Sequence, residues 1–135
     1  MDYSEIIKPG MTGEETFEVK EEHLASHVGS GAVRVLATPR LIDFMEGTSH
    51  RMIARRLPKG YSSVGTEVNM RHLAPTPLGG KVRVKAEVLS IDGIKVTLSV
   101  QAWDEIEQVG SCTHQRMIID EARFLKRVAA KAKIS

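Results

Sequence analysis

The chain has 135 residues, 41% of them hydrophobic and 27% charged, with a formal charge of +2. That length fits a single domain, residues 1–135, able to bury an aliphatic core without staples. The small net charge argues against nucleic-acid or anionic-membrane partners, and no apolar run approaches the ~20 residues that span a bilayer. Cys112 is the only cysteine, so no internal disulfide can form, which suits a reducing, cytoplasmic setting. The first residues lack the basic and apolar regions of a signal peptide.

Residues 1–13 read as an irregular arm, broken by Pro9, Gly10 and Gly13. Alternation in "ETFEVK", residues 15–20, predicts a short strand. "EEHLASHVGSGAVRVLA" follows as a loop with a possible strand over Val33–Leu36. A long helix is predicted from Thr38 to Arg56. Thr38 is a suitable N-cap, Pro39 fits the first helical position, and Pro58 with Gly60 ends the run. Leu41, Ile42, Met45, Met52 and Ile53 define its apolar face.

Beyond the helix the period falls to two. "SVGTEVNMRHLA" predicts one strand. "KVRVKAEVLSI" predicts the clearest, with Val82, Val84, Ala86 and Val88 on one side. Asp92-Gly93 reads as the hairpin turn into "IKVTLSVQAW", with Ile94, Val96, Leu98, Val100 and Ala102 in register. A second turn near Asp104–Glu107 leads to "QVGSCTHQRMII". The tail, 121–135, carries an amphipathic helix over Glu121–Lys131. A meander with one apolar face needs a cover, and the helix from Thr38 is the large candidate. The class is α+β. Composition and period allow a generic sheet on a helix as readily as a sheet wrapped round one.

Three residues stand out chemically. Glu46 falls beside Ile42 and Ile53 at the edge of the apolar face, where a carboxylate partly withdrawn from water can serve as a base, or snorkel, or pair with a cation. His72 sits near the end of its strand, where sites are often built, although a strand histidine can equally be a hydrogen-bonded structural residue. Thr38 is explained by capping, yet a helix N-terminus also favours an anionic oxygen. His114 and Cys112 read better as interior residues. The basic tail "RFLKRVAAKAK" reads as a solvated helix. The five histidines lack metal-ligand spacing, and there is no GxSxG, Walker or GxGxxG motif. Nothing calls for a metal or cofactor.

Four stretches together resemble the fluoroacetyl-CoA thioesterase-like family of hot dog proteins: "VLATPRLIDFMEGTS", "SSVGTEVNMRHLAPTPLG", "VRVKAEVLSIDGIKVTLSVQAWD" and "EQVGSCTHQRMII". The resemblance runs from about Phe17 to Phe124. It implies a hot dog fold, an antiparallel sheet wrapped around a long central helix, and a homodimer joined edge to edge with sites at the subunit boundary. The family's functional positions fall on Thr38, Glu46 and His72, and Gly65 matches a glycine whose backbone lies near the acyl group. The implied reaction is hydrolysis of an acyl-CoA. Glu46 would be base or nucleophile, His72 would stabilise or protonate the leaving group, and Thr38 would position its partners. Leu41, Met45 and Val33 suggest an apolar acyl pocket. The resemblance fails at the family's aromatic lid: residues 24–43 contain no aromatic side chain, so fluoroacetyl selectivity is not expected. Thr38 and Glu46 lie about 12 Å apart along an ideal helix, too far to touch one small group.

Two other functions stay in view. One is a hot dog module that holds an acyl or CoA-like ligand without turnover. The other is a dehydratase or hydratase, whose Asp-x-x-x-x-His pattern is absent; Asp43 and His50 are spaced by seven and are expected on the polar side of the helix.

Overall fold

A computed structural model describes residues 2–133. Strand β1 spans Thr12–Glu18, and short helix α1 spans Ala25–Val28. The long helix α2 spans Thr38–Ala54. Strands β2 (Tyr61–His72), β3 (Lys81–Asp92), β4 (Lys95–Trp103) and β5 (Gln108–Asp120) follow, and helix α3 spans Glu121–Ala132. All pairings are antiparallel, in the order β1-β3-β4-β5-β2. The connected strands β3, β4 and β5 form the centre, and β1 and β2 form the edges.

The sheet wraps its apolar face around α2, which packs on β1, β2, β3 and β4. Strict alternation drives this. Val82, Val84, Ala86 and Val88 of β3, and Val96, Leu98, Val100 and Ala102 of β4, are all fully buried. They meet Leu41, Phe44, Met45, Met52 and Ile53 of the helix. The buried face of α2 differs from the expected one in that it also includes Phe44, Thr48 and Ser49 and loses Ile42. Ile42 is only half-buried, and Phe44 takes its place, stacked on Phe17 with ring centroids 4.4 Å apart. Polar anchors fix the helix to β1. Arg51 donates to both Glu15 carboxylate oxygens at 2.7 and 2.8 Å, and the Thr48 hydroxyl donates at 2.7 Å.

Several expectations are corrected. β1 begins at Thr12, so the irregular arm is shorter than residues 1–13, and Ile7 within it is fully buried. No strand forms over Val33–Leu36. That segment makes isolated bridges from Leu36 to Leu24 and from Val35 to Pro77, and residues 21–28 form a 3-10 turn and α1. The β3–β4 turn sits one residue later than expected, on Gly93 and Ile94, with Gly93 at φ 62° and Asp92 paired to Lys95. Ile94 is therefore half-exposed rather than in register.

Thr38 is not the helix cap. Ala37 occupies that position with no side-chain cap, and Thr38 is the first helical residue. The Thr38 hydroxyl is turned instead to His72. Helix α3 buries no residue, in keeping with a solvated tail. No helix among the described residues is long and apolar enough to cross a membrane.

Candidate active site

Residues directly opposite in an antiparallel pair share a side of the sheet. His72 pairs with Gly110, Met70 with Cys112, Val68 with His114 and Gly65 with Arg116. A bulge lies between Gly65 and Glu67, which keeps Gly65 and Val68 on one face although three positions separate them. Gly110 faces α2, because a Cβ there would meet the Met45 methyl at 2.7 Å and Leu41 Cδ2 at 3.1 Å. Gly65 and His72 therefore both face the helix from the edge strand.

They face it at different points. Thr38 Oγ1 lies 2.8 Å from His72 Nδ1, which ties the first turn of α2 to the last residue of β2. The other ring nitrogen, Nε2, is enclosed and has no hydrogen-bond partner among the described residues. Buried polar atoms rarely stay unpaired, so an enclosed imidazole nitrogen without a partner asks for an explanation. Thr38 and His72 line a cavity of about 360 Å³ with Val35, Leu36, Leu73 and Pro75. Its walls are mostly apolar and its volume suits a small ligand.

Glu46 lies further along α2. Its Oε2 touches the place where a Gly65 side chain would begin, and Arg116 Nη1 approaches the same oxygen at 3.4 Å. Oε1 has no hydrogen-bond partner among the described residues, and the side chain is 37% exposed. Arg116 is itself only 6% exposed. It donates to the Ser63 hydroxyl at 2.9 Å and the Ser63 carbonyl at 3.0 Å, and it lies 3.1 Å from His114 Nε2.

The structure thus joins Thr38 to His72 and Glu46 to Gly65. It does not bring the two pairs together within one chain. Gly65 and His72 are seven positions apart on one strand, or roughly 20 Å. Leu41 and Met45 are fully buried core residues packed against Gly110, and neither lines the cavity beside His72. Val33 is 65% exposed. Asp43 is exposed and paired with Arg40 at 3.1 Å. His50, expected on the polar side, is half-buried, and its pKa is lowered by burial and then by the nearby Arg116. A larger hollow of about 510 Å³ lies by Tyr3, Tyr61, Arg123 and Arg127, and none of Thr38, Glu46 and His72 lines it.

A family model for the fluoroacetyl-CoA-specific thioesterase matches residues 19–122. The chain belongs to that family. It is 36% identical over 97 residues to the fluoroacetyl-CoA thioesterase of Streptantibioticus cattleyicolor, covering 72% of this chain and 70% of that one. A solved structure of a fluoroacetyl-CoA thioesterase superposes with a TM-score of 0.86 at 30% identity, covering 93% of this chain and 97% of that chain. A hot-dog-like protein from Thermanaerovibrio acidaminovorans gives a TM-score of 0.89 at 24% identity, with 97% of each chain covered, which speaks for the fold alone. The sheet wrapped round α2 is the hot dog fold, and the generic sheet-on-helix alternative falls away.

Within this thioesterase-family fold, sequence reading missed Arg116 and Ser63, and it placed His114 indoors without its partners, the Glu67 carbonyl and Arg116. The signal was present. Gly110, Cys112, His114, Arg116 and Ile118 alternate on one face of β5, and an arginine on the Cys112–Ile118 face has to find partners indoors. Cys112 is the interior residue expected, its thiol pushed up to about 11, first by burial.

Burial dominates the imidazoles. The pKa values of His50, His72 and His114 all lie below the ordinary 6.5, in each case chiefly from burial. The unfolded chain then binds more protons than the folded one as pH falls below 6.5. Their contribution is complete above that value and is lost as pH drops through the folded values. The urea midpoint is expected to fall between about pH 7.5 and pH 5.5, before carboxylates titrate. A flat midpoint across that window would contradict the burial of these rings.

Proposed function

We propose that this protein hydrolyses acyl-CoA thioesters to the free acid and CoA, acting as a homodimer whose sites each join two half-sites. The observation that carries the reading is a pair of groups between α2 and the edge strand β2: the Glu46 carboxylate of the helix, with one oxygen anchored by Arg116, and the enclosed His72 ring nitrogen of the strand, with no partner among the described residues. Membership of the thioesterase family supports the reaction class.

The free edge of the sheet supports the dimer. β2 is a 12-residue strand with no proline and an unpaired side. Long unblocked edges invite another strand. A two-fold axis near Val68, midway between Gly65 and His72, would pair β2 with its copy and carry each strand's His72 end toward the other's Gly65 end. The Thr38–His72 half-site of one subunit then meets the Glu46–Gly65 half-site of the other. This answers the 12 Å gap between Thr38 and Glu46, since the two need not serve the same site.

In the assembled site, Arg116 holds Glu46 Oε2 and leaves Oε1 to act. Oε1 takes a proton from the water that attacks the thioester carbonyl, or bonds to the carbonyl carbon to give an anhydride that water then opens. In either case the carbon–sulfur bond breaks and the pair leaves on sulfur. The Thr38 hydroxyl donates to His72 Nδ1, which puts the ring proton on Nε2, where it can be passed to the departing thiolate. The Gly65 backbone is exposed beside the carboxylate and serves the developing oxyanion. The segment over the cavity, 24–37, has no aromatic lid, so the substrate is a small or medium acyl group rather than fluoroacetyl alone. The lone buried Cys112 suits the cytoplasm as the working compartment.

A panel of acyl-CoA esters, read by thiol release, tests the reaction. Turnover with short or medium esters is the expected result. Saturable binding of the same esters without any thiol release would overturn it in favour of a ligand-holding module.

A further inference from the structure

We propose that His114 is a positioning residue: as a neutral ring protonated at Nδ1, it locks the Arg116 guanidinium to the β2 bulge and so aims it at Glu46. The proposal rests on the reading that Glu46 does the chemistry.

The wiring follows from what each group can donate. Arginine has five N–H donors and no acceptor. The 3.1 Å approach of Arg116 Nη1 to His114 Nε2 therefore requires Nε2 to accept. The ring proton must then be on Nδ1, which lies 2.7 Å from the Glu67 carbonyl and donates to it. Glu67 is the first residue after the bulge at Gly65. One ring thus spans β5 and β2, with a donor on the bulge and an acceptor on the arginine. A doubly protonated ring would set two donors against each other in a residue only 1% exposed.

The three groups converge on one glycine. A Cβ at Gly65 would lie 3.4 Å from His114 Cε1 and 3.5 Å from Arg116 Nη1, and it would touch Glu46. Ser63 holds the other two guanidinium nitrogens, Nε and Nη2. Nη1 is the nitrogen that meets Glu46, and His114 is the one other partner it has among the described residues. Removing that acceptor frees the nitrogen that holds the carboxylate. Among the described residues, the charged and titratable groups facing this cluster are Glu46 and His50 from α2 and Cys112 and Arg116 from β5.

Two amides separate the halves of the ring. In His114→Asn, the amide nitrogen takes the place of Nδ1, so the Glu67 contact survives and the Arg116 acceptor is lost. In His114→Gln, the amide oxygen takes the place of Nε2, so the acceptor survives and the Glu67 contact is lost. Expected is a fall in kcat of roughly 10- to 100-fold for Asn with KM little changed, and a several-fold smaller loss for Gln, at similar urea midpoints. Equal losses, or a rise in KM alone, would overturn the assignment and leave His114 as core packing. Nitrogen-15 NMR of the unmodified protein gives a readout that needs no turnover. At neutral pH His114 should show a protonated Nδ1 and a bare Nε2, and the opposite tautomer or an imidazolium would overturn the wiring. Failure of the unmodified protein to release thiol would count against the thioesterase reading, while the tautomer would still be decided by NMR.

Discussion

Glu46→Gln is expected to lower kcat by about 10²–10⁴-fold, the usual contribution of a positioned acid–base group. Glutamine keeps the size of the side chain, and its carbonyl oxygen still accepts from Arg116. What disappears is the negative charge on the free oxygen, which is the feature that water activation or direct attack requires. Stability should scarcely change. The Glu46–Arg116 contact is long at 3.4 Å and its carboxylate is 37% exposed, so the pair contributes about 1 kcal/mol or less. A large loss in kcat at an unchanged urea midpoint is therefore the signature, and KM should hold because the lost charge acts in the transition state. A variant within threefold of the parent would remove Glu46 from the mechanism.

Gly65→Ala should silence the site without unfolding it. Glycine is needed here for space, since its φ is not in the left-handed region. The added methyl would lie on Glu46 Oε2, the tip of a flexible and partly exposed side chain. Such a tip swings aside at little cost, so the change in folding free energy should stay below about 1 kcal/mol. The displaced carboxylate, however, loses both Arg116 and its aim. Misplacement by about 1 Å costs on the order of 100-fold in rate. Rate assays beside denaturation curves check the split. A strongly destabilised variant, or one with full activity, would contradict the packing described for Gly65.

Much of this was legible in the chain, because local rules and global packing agree in β3, β4 and α2. Strict alternation places eight buried residues of β3 and β4, and helical spacing with Pro39 and Pro58 frames α2 to within two residues. The misreadings fall where a distant contact overrides the local rule. Thr38 looks like a cap, but its hydroxyl is drawn 34 positions along the chain to His72. Val33–Leu36 looks like a strand, but only single bridges to Leu24 and Pro77 hold it. Arg116 reaches Glu46 across 70 positions. That meeting depends on the β2–β5 register and on one bulge, neither of which alternation reveals.

The residue types of the candidate site were legible through family resemblance, and their arrangement was not. In sequence, Glu46 and His72 read as converging on one apolar cavity, with Thr38 about 12 Å from Glu46 along the helix. In the fold the three residues form two clusters, at separate points along the helix and the edge strand.

Mixing two inactive variants tests this division most directly. Glu46→Ala and His72→Ala are each expected to abolish turnover as pure proteins. Co-expressed or refolded together, half of the dimers should contain one of each. Such a dimer has one site with both defects and one with neither, so activity should return to about a quarter of the parent's. If Glu46 and His72 served the same site within one subunit, no mixed dimer would contain an intact site, and the mixture would stay as silent as its parts.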